Sequence, residues 1–202
     1  MKAVDGRIDG TTQARGTLLD RWPTALGLAA VIGAIVAIVL DDGAVVETFG
    51  PVVVAMAGIY MVAYAIGRPW TVWLGFGALS LVIGVFQALE EADVSWADPS
   101  IGMVVIVVLL WVWAIARGRY HEHDTFWVQT AGMVAFAAFT LVAAVIDPRW
   151  GAAVAGVGFI AHGAWDAYHF KINKVVVRPY AEFCAVIDFG VGPALIIAAL
   201  AG

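Results

Sequence analysis

The chain has 202 residues, of which 62% are apolar and only 13% charged, and its mean hydropathy is +0.90, well outside the range of ordinary soluble domains. This excludes a soluble globular enzyme, and a net charge of −5 without a dense basic cluster excludes a nucleic-acid partner. The single cysteine, Cys184, excludes an internal disulfide and dithiol redox chemistry.

Residues 1–22 read as a polar N-terminal tail with no short apolar core and cleavage site of the signal-peptide kind. Residues 23–202 read as one all-α domain, a polytopic integral membrane bundle of seven transmembrane helices. The apolar runs fall at about 23–40, 49–67, 70–89, 100–117, 126–146, 150–171 and 180–201, each near the ~20 residues that a helix needs to cross a hydrocarbon core. Pro23, Pro51 and Pro69 stand near first turns, where a missing N–H is tolerated, and Asp147-Pro148 separates the fifth and sixth runs. Most tryptophans cluster near the predicted ends, as interfacial anchors do. Gly27 and Gly33, Gly75, Gly77 and Gly84, and Gly151, Ala155, Gly156 and Gly158 offer close helix contacts in the first, third and sixth runs.

Lys2, Arg7, Arg15, Arg21, Arg68, Arg117, Arg119, Lys171, Lys174 and Arg178 fall on one side of this arrangement, and only Arg149 on the other. Basic residues mark the cytoplasmic side, so the N-terminus is expected in the cytoplasm and the C-terminus outside, in the plasma membrane. Arg68-Pro69-Trp70 and Arg178-Pro179-Tyr180 open the third and seventh runs alike. They hint at a weak parallel repeat of three helices, a linker helix and three more.

Chemistry concentrates in AHGAWDAYHF near the C-terminus. His162, Asp166 and His169 stand at i, i+4 and i+7, one face of a helix, and ionisable groups inside a membrane point to function. If the sixth and seventh runs form a hairpin turning near 175, residues at equal depth have numbers that sum to about 350. His162 then levels with Asp188, Asp166 with Cys184, and His169 with Glu182. His162, Asp166 and Asp188 are the expected catalytic groups. With His169 at the mouth as a fourth ligand, His162, Asp166, His169 and Asp188 form a candidate divalent-metal set, suited to zinc or iron. Trp165, Cys184 and Glu182 are expected to wall a substrate cavity, and His121, Glu122, His123 and Asp124 approach from the same side. Gly192-Pro193 interrupts the seventh run beside Asp188. Gln87, Glu90 and Glu91 end the third run at the opposite face, where they are solvated or line an outer vestibule.

The leading functional expectation is a small membrane enzyme. It would act on a lipid or isoprenoid-like substrate by metal-assisted or acid/base chemistry, among membrane lipids as its surroundings. A proton-coupled carrier would use the same residues, and an accessory subunit would use them only to join two helices. A retinal protein is disfavoured because the seventh run has no lysine for a Schiff base. Oligomeric state is not encoded in these patterns.

Overall fold

The computed structural model describes residues 21–40 and 48–201. The expected N-terminal tail lies outside the described residues except for Arg21 and Trp22, as do Asp41, Asp42, Glu47 and Gly202. Among the described residues there are seven α-helices and no strand: α1 (Trp22–Leu40), α2 (Gly50–Ile66), α3 (Val72–Glu91), α4 (Pro99–Ala116), α5 (His123–Val145), α6 (Pro148–Ile172) and α7 (Arg178–Ala201). Each coincides with one of the apolar runs. Their ends follow from local chemistry. Asp98 caps α4 by accepting from the Ile101 N–H at 2.8 Å, and Asp147 accepts from Arg149 N–H ahead of α6. Gly67 and Asn173, both in the left-handed region, terminate α2 and α6.

Five helical segments are long and apolar enough to cross a membrane: α1, α3 with the 3-10 turn before it, α4, α5 and α7. Large apolar side chains such as Ile32, Leu81, Leu109, Val134 and Ile197 face outward, while Trp22, Trp70, Trp127 and Trp150 are exposed at helix ends. This is the surface of a membrane protein. The other two helices depart from that pattern for separate reasons. α2 has only 17 residues. α6 has 25, but its apolar run is broken by His162, Asp166 and His169.

α2 is the axis of the bundle. It packs against α3, α4, α5 and α6, and all but three of its residues are buried. A helix buried all round must be apolar all round, which its Val, Ala, Met and Gly content supplies. Thr140 of α5 is fixed to its first turn, donating to Gly50 O at 2.8 Å and accepting from Val54 N–H at 3.1 Å. α6 and α7 form the most extensive helix pair, and α1 lies against the outer side of α7. Ring contacts of Trp73 and Phe76 with Tyr180 and Phe183 join α3 to α7.

Glycines set the tightest crossing, between α6 and α7. A Cβ on Gly156 would lie 2.7 Å from Gly192 O, and one on Gly192 would lie 2.8 Å from Gly156 O. Backbones approach this closely only where both side chains are absent. Gly27, Gly75, Gly151 and Gly158 are likewise hemmed in, whereas Gly33, Gly77 and Gly84 have open space and no packing role.

Candidate functional site

The α6–α7 crossing brings three ionisable side chains together. His162 Nδ1 lies 2.8 Å from Asp188 Oδ2 and 3.4 Å from Asp166 Oδ2, and one ligand atom from each residue lies within 4.8 Å of the others. All three are buried, at 0–1% exposure. Gly163 makes room for this, since a Cβ there would lie 3.2 Å from Asp188 Cβ. The Asp166 carboxylate accepts a hydrogen bond at Oδ1 from the Tyr60 hydroxyl of α2, so a third helix joins the group. Asp166 Oδ2 and His162 Nε2 have no hydrogen-bond partner among the described residues.

His169 sits one turn along α6 towards the end that carries Lys171. Its Nδ1–H donates to the Trp165 carbonyl at 3.0 Å, and its Nε2 accepts from the Gln129 amide of α5 at 2.9 Å. That pair of bonds assigns the tautomer. The ring is 1% exposed, so His169 neither snorkels to the headgroups nor lies at an open entrance. The Tyr60 ring contacts both imidazoles, at 5.6 Å from His162 and 4.8 Å from His169.

The residues expected to wall a cavity divide. Trp165 packs on Tyr60, Phe136 and His169, beside the triad. Cys184 is buried one turn from Asp188 on α7. Glu182 points elsewhere: it accepts from the Thr24 hydroxyl of α1 and lies 3.7 Å from Arg21. Equal depth gave its height and not its direction, because six residues at ~100° each place it about 120° around α7 from Asp188.

Two cavities flank the triad, and neither is lined by any of its members. One, of about 330 Å³, opens at the face where α3 ends and α4 begins, with Gln87, Glu90, Glu91 and Asp98 in its wall and no Lys or Arg among the described residues that line it. The other, of about 630 Å³, opens at the face carrying Arg119 and Lys174, and Glu122, His123 and Asp124 line it, whereas His121 does not. The residues between the second cavity and the triad are polar on three helices at once. Asn173, His169, Asp166 and His162 lie along one face of α6; Tyr64 and Tyr60 are one turn apart on α2; Thr125 and Gln129 are one turn apart on α5. Towards the first cavity the packing is apolar instead. Phe136 lies 4.9 Å from the His162 ring, and Val53, Ala155 and Phe159 are buried beyond it.

Tyr60 and Gln129 are the site residues that the sequence pattern did not single out. Tyr60 lies deeper in its helix than an interfacial anchor, and Gln129 is an amide in an apolar run. Comparison of the chain with protein-family models, curated proteins and solved structures gave no match.

Proposed function

We propose that this chain is a seven-span protein of the plasma membrane in which His162, Asp166 and Asp188 hold a divalent cation, and that it is a membrane enzyme. The face bearing Arg119 and Lys174 would be cytoplasmic, as the distribution of basic residues indicates. The observation that carries the reading is the convergence of two carboxylates and an imidazole at full burial. Two uncompensated carboxylates in a low-dielectric interior are prohibitively costly. One divalent ion with a neutral imidazole makes the group electrically neutral, and Asp166 Oδ2 offers a lone pair that no donor occupies.

Three protein ligands leave a coordination position open, the arrangement of catalytic rather than structural zinc sites. Imidazole with carboxylate suits zinc or iron. Tyr60, bonded to Asp166, stands where a proton can be given or taken. The polar column from the larger cavity supports entry of a substrate from the basic face, and the position of the triad within the apolar bundle supports one that partitions into the bilayer.

A proton-coupled carrier is the second reading, favoured by the 2.8 Å His162–Asp188 contact, since two protons would neutralise the triad as well as one divalent ion. It also needs a route to the acidic cavity, and apolar packing by Phe136 and Phe159 closes that side.

Elemental analysis of purified protein tests the metal reading. The expected result is about one zinc or iron per chain, lost in His162→Ala, Asp166→Ala and Asp188→Ala while the variants remain folded. A metal-free wild type that acidifies vesicles would establish the carrier instead. A C-terminal reporter active only in the cytoplasm would overturn the proposed orientation.

A further inference from the structure

The cavity of about 630 Å³ at the basic face contains a cation whose arrangement the triad does not explain. The Arg119 guanidinium lies 5.0 Å over the Tyr64 ring, its Nη1 pairs with Glu122 at 2.6 Å, and the Tyr64 hydroxyl donates to its carbonyl at 2.7 Å. Gly67, in the left-handed region, lies beneath it: a Cβ there would come within 3.3 Å of Nη1. The ring and the ion pair thus hold the guanidinium, while the Tyr64 hydroxyl holds the backbone of the same residue. Its Nε–H is buried without a partner among the described residues, so the hydrogen-bonding capacity of this guanidinium is not exhausted by the protein. Lys174 lines the same cavity, together with Thr125 and Asn173.

The two carboxylates in the wall do not cancel these cations in the same way. Glu122 is already paired with Arg119, and its side chain is partly exposed. Asp124 is fully exposed and lies 3.7 Å from His123. An oxygen-rich anion between Arg119 and Lys174 would meet two cations in the wall of one cavity. Arg68, Arg117, Lys171 and Arg178 surround this face, and basic pockets between membrane helices on such a face favour anionic headgroups. Arginine fixed by stacking presents its N–H groups to phosphate oxygens in a set geometry.

We infer that this cavity is a binding site for a phosphate group, held by Arg119 and Lys174 with Thr125 and Asn173, and that its source is an anionic membrane lipid. The assignment does not depend on a metal at the triad, because none of these residues belongs to it.

Native mass spectrometry of the full chain released from phosphatidylcholine nanodiscs containing phosphatidate provides the test. Wild type is expected to retain phosphatidate over phosphatidylcholine, and Lys174→Gln and Arg119→Gln to lower that retention by at least about tenfold, by the loss of a charge-assisted contact each. Arg117→Gln, which removes an exposed charge from the same face outside the cavity, should leave retention unchanged. Inorganic phosphate is the second probe. If it competes only at millimolar levels, the lipid is the source; if it binds detergent-solubilised protein as tightly as phosphatidate does, the phosphate site stands and its ligand is soluble. Circular dichroism establishes that each variant is folded, and Lys174→Gln carries the test if loss of Arg119 unfolds the turn. Equal loss in Arg117→Gln, or full retention in Lys174→Gln and Arg119→Gln, would overturn the inference.

Discussion

Replacing Gly156 by alanine tests whether the α6–α7 crossing sets the geometry of the triad. The new Cβ would lie 2.7 Å from Gly192 O and 2.8 Å from Ile196 Cγ1, whereas ordinary contact begins at 3.4 Å. The oxygen is backbone and cannot rotate away. Relief therefore requires α6 and α7 to part by about 0.7 Å, the difference between 3.4 and 2.7 Å, and overpacking of this kind costs about 1–3 kcal/mol. If the same shift reaches His162, six residues along, the 2.8 Å contact with Asp188 lengthens to about 3.5 Å, beyond hydrogen-bond range. Gly156→Ala is thus expected to lower Tm by several degrees, at ~2–4 °C per kcal/mol for a chain of this size, and to weaken zinc binding at least about tenfold. Gly33→Ala is the control. Nothing lies within 4 Å of its Cβ position, so it should be neutral or stabilise the helix by up to about 1 kcal/mol. Melting curves in detergent and zinc titration of both variants decide the matter. An unchanged Tm and zinc affinity in Gly156→Ala would refute the idea that close backbone approach positions the site.

Tyr60→Phe removes the only donor to Asp166 Oδ1 that α2 supplies and should destabilise the protein by about 1–3 kcal/mol; chemical denaturation in mixed micelles would read this, and a neutral result would mean that the hydroxyl is not structurally required. Pro193→Ala restores an N–H inside α7 and should raise Tm while weakening zinc binding, because the freed carbonyl one turn earlier lies beside Asp188; unchanged values of both would show that the proline does not influence the site.

The seven helices were legible as apolar runs, and five of them are also long and apolar enough to cross a membrane. What lies inside the bundle was far less so. In water, an amphipathic stripe tells which face is buried; α2, at the centre, and α1, at the edge, are both apolar all round, so hydropathy gives no direction. Polar residues are then the main guide to the interior. His162, Asp166 and His169 were readable as one face because helical spacing fixes both height and azimuth on a single helix. Across helices only the height transferred, which brought Asp188 opposite His162 and also nominated Glu182, whose side chain turns to Thr24 and Arg21. Tyr60 and Gln129 come from helices whose adjacency depends on the packing of the whole bundle, and no spacing within one segment encodes it.

A buried polar triad can be retained for function or for holding α6 to α7, and the two differ in how single and combined substitutions behave. Removing one member of a hydrogen-bonded buried group strands its partners and costs about 3–5 kcal/mol, whereas replacing the whole group by apolar side chains is often neutral or stabilising by about 1–4 kcal/mol. The packing around the triad favours the second outcome: Phe136, Phe159 and Ala155 are buried nearby, and the Gly156–Gly192 approach holds the helices together independently of charge. Asp188→Val alone should therefore destabilise strongly in the presence of chelator, and the combination His162→Phe, Asp166→Val, Asp188→Val should recover most or all of that loss while binding no zinc. Denaturation of the two variants and wild type in one detergent gives the comparison. If the combined variant is less stable than Asp188→Val, the polar contacts themselves hold α6 to α7, and the case for a cation site retained at the expense of stability is lost.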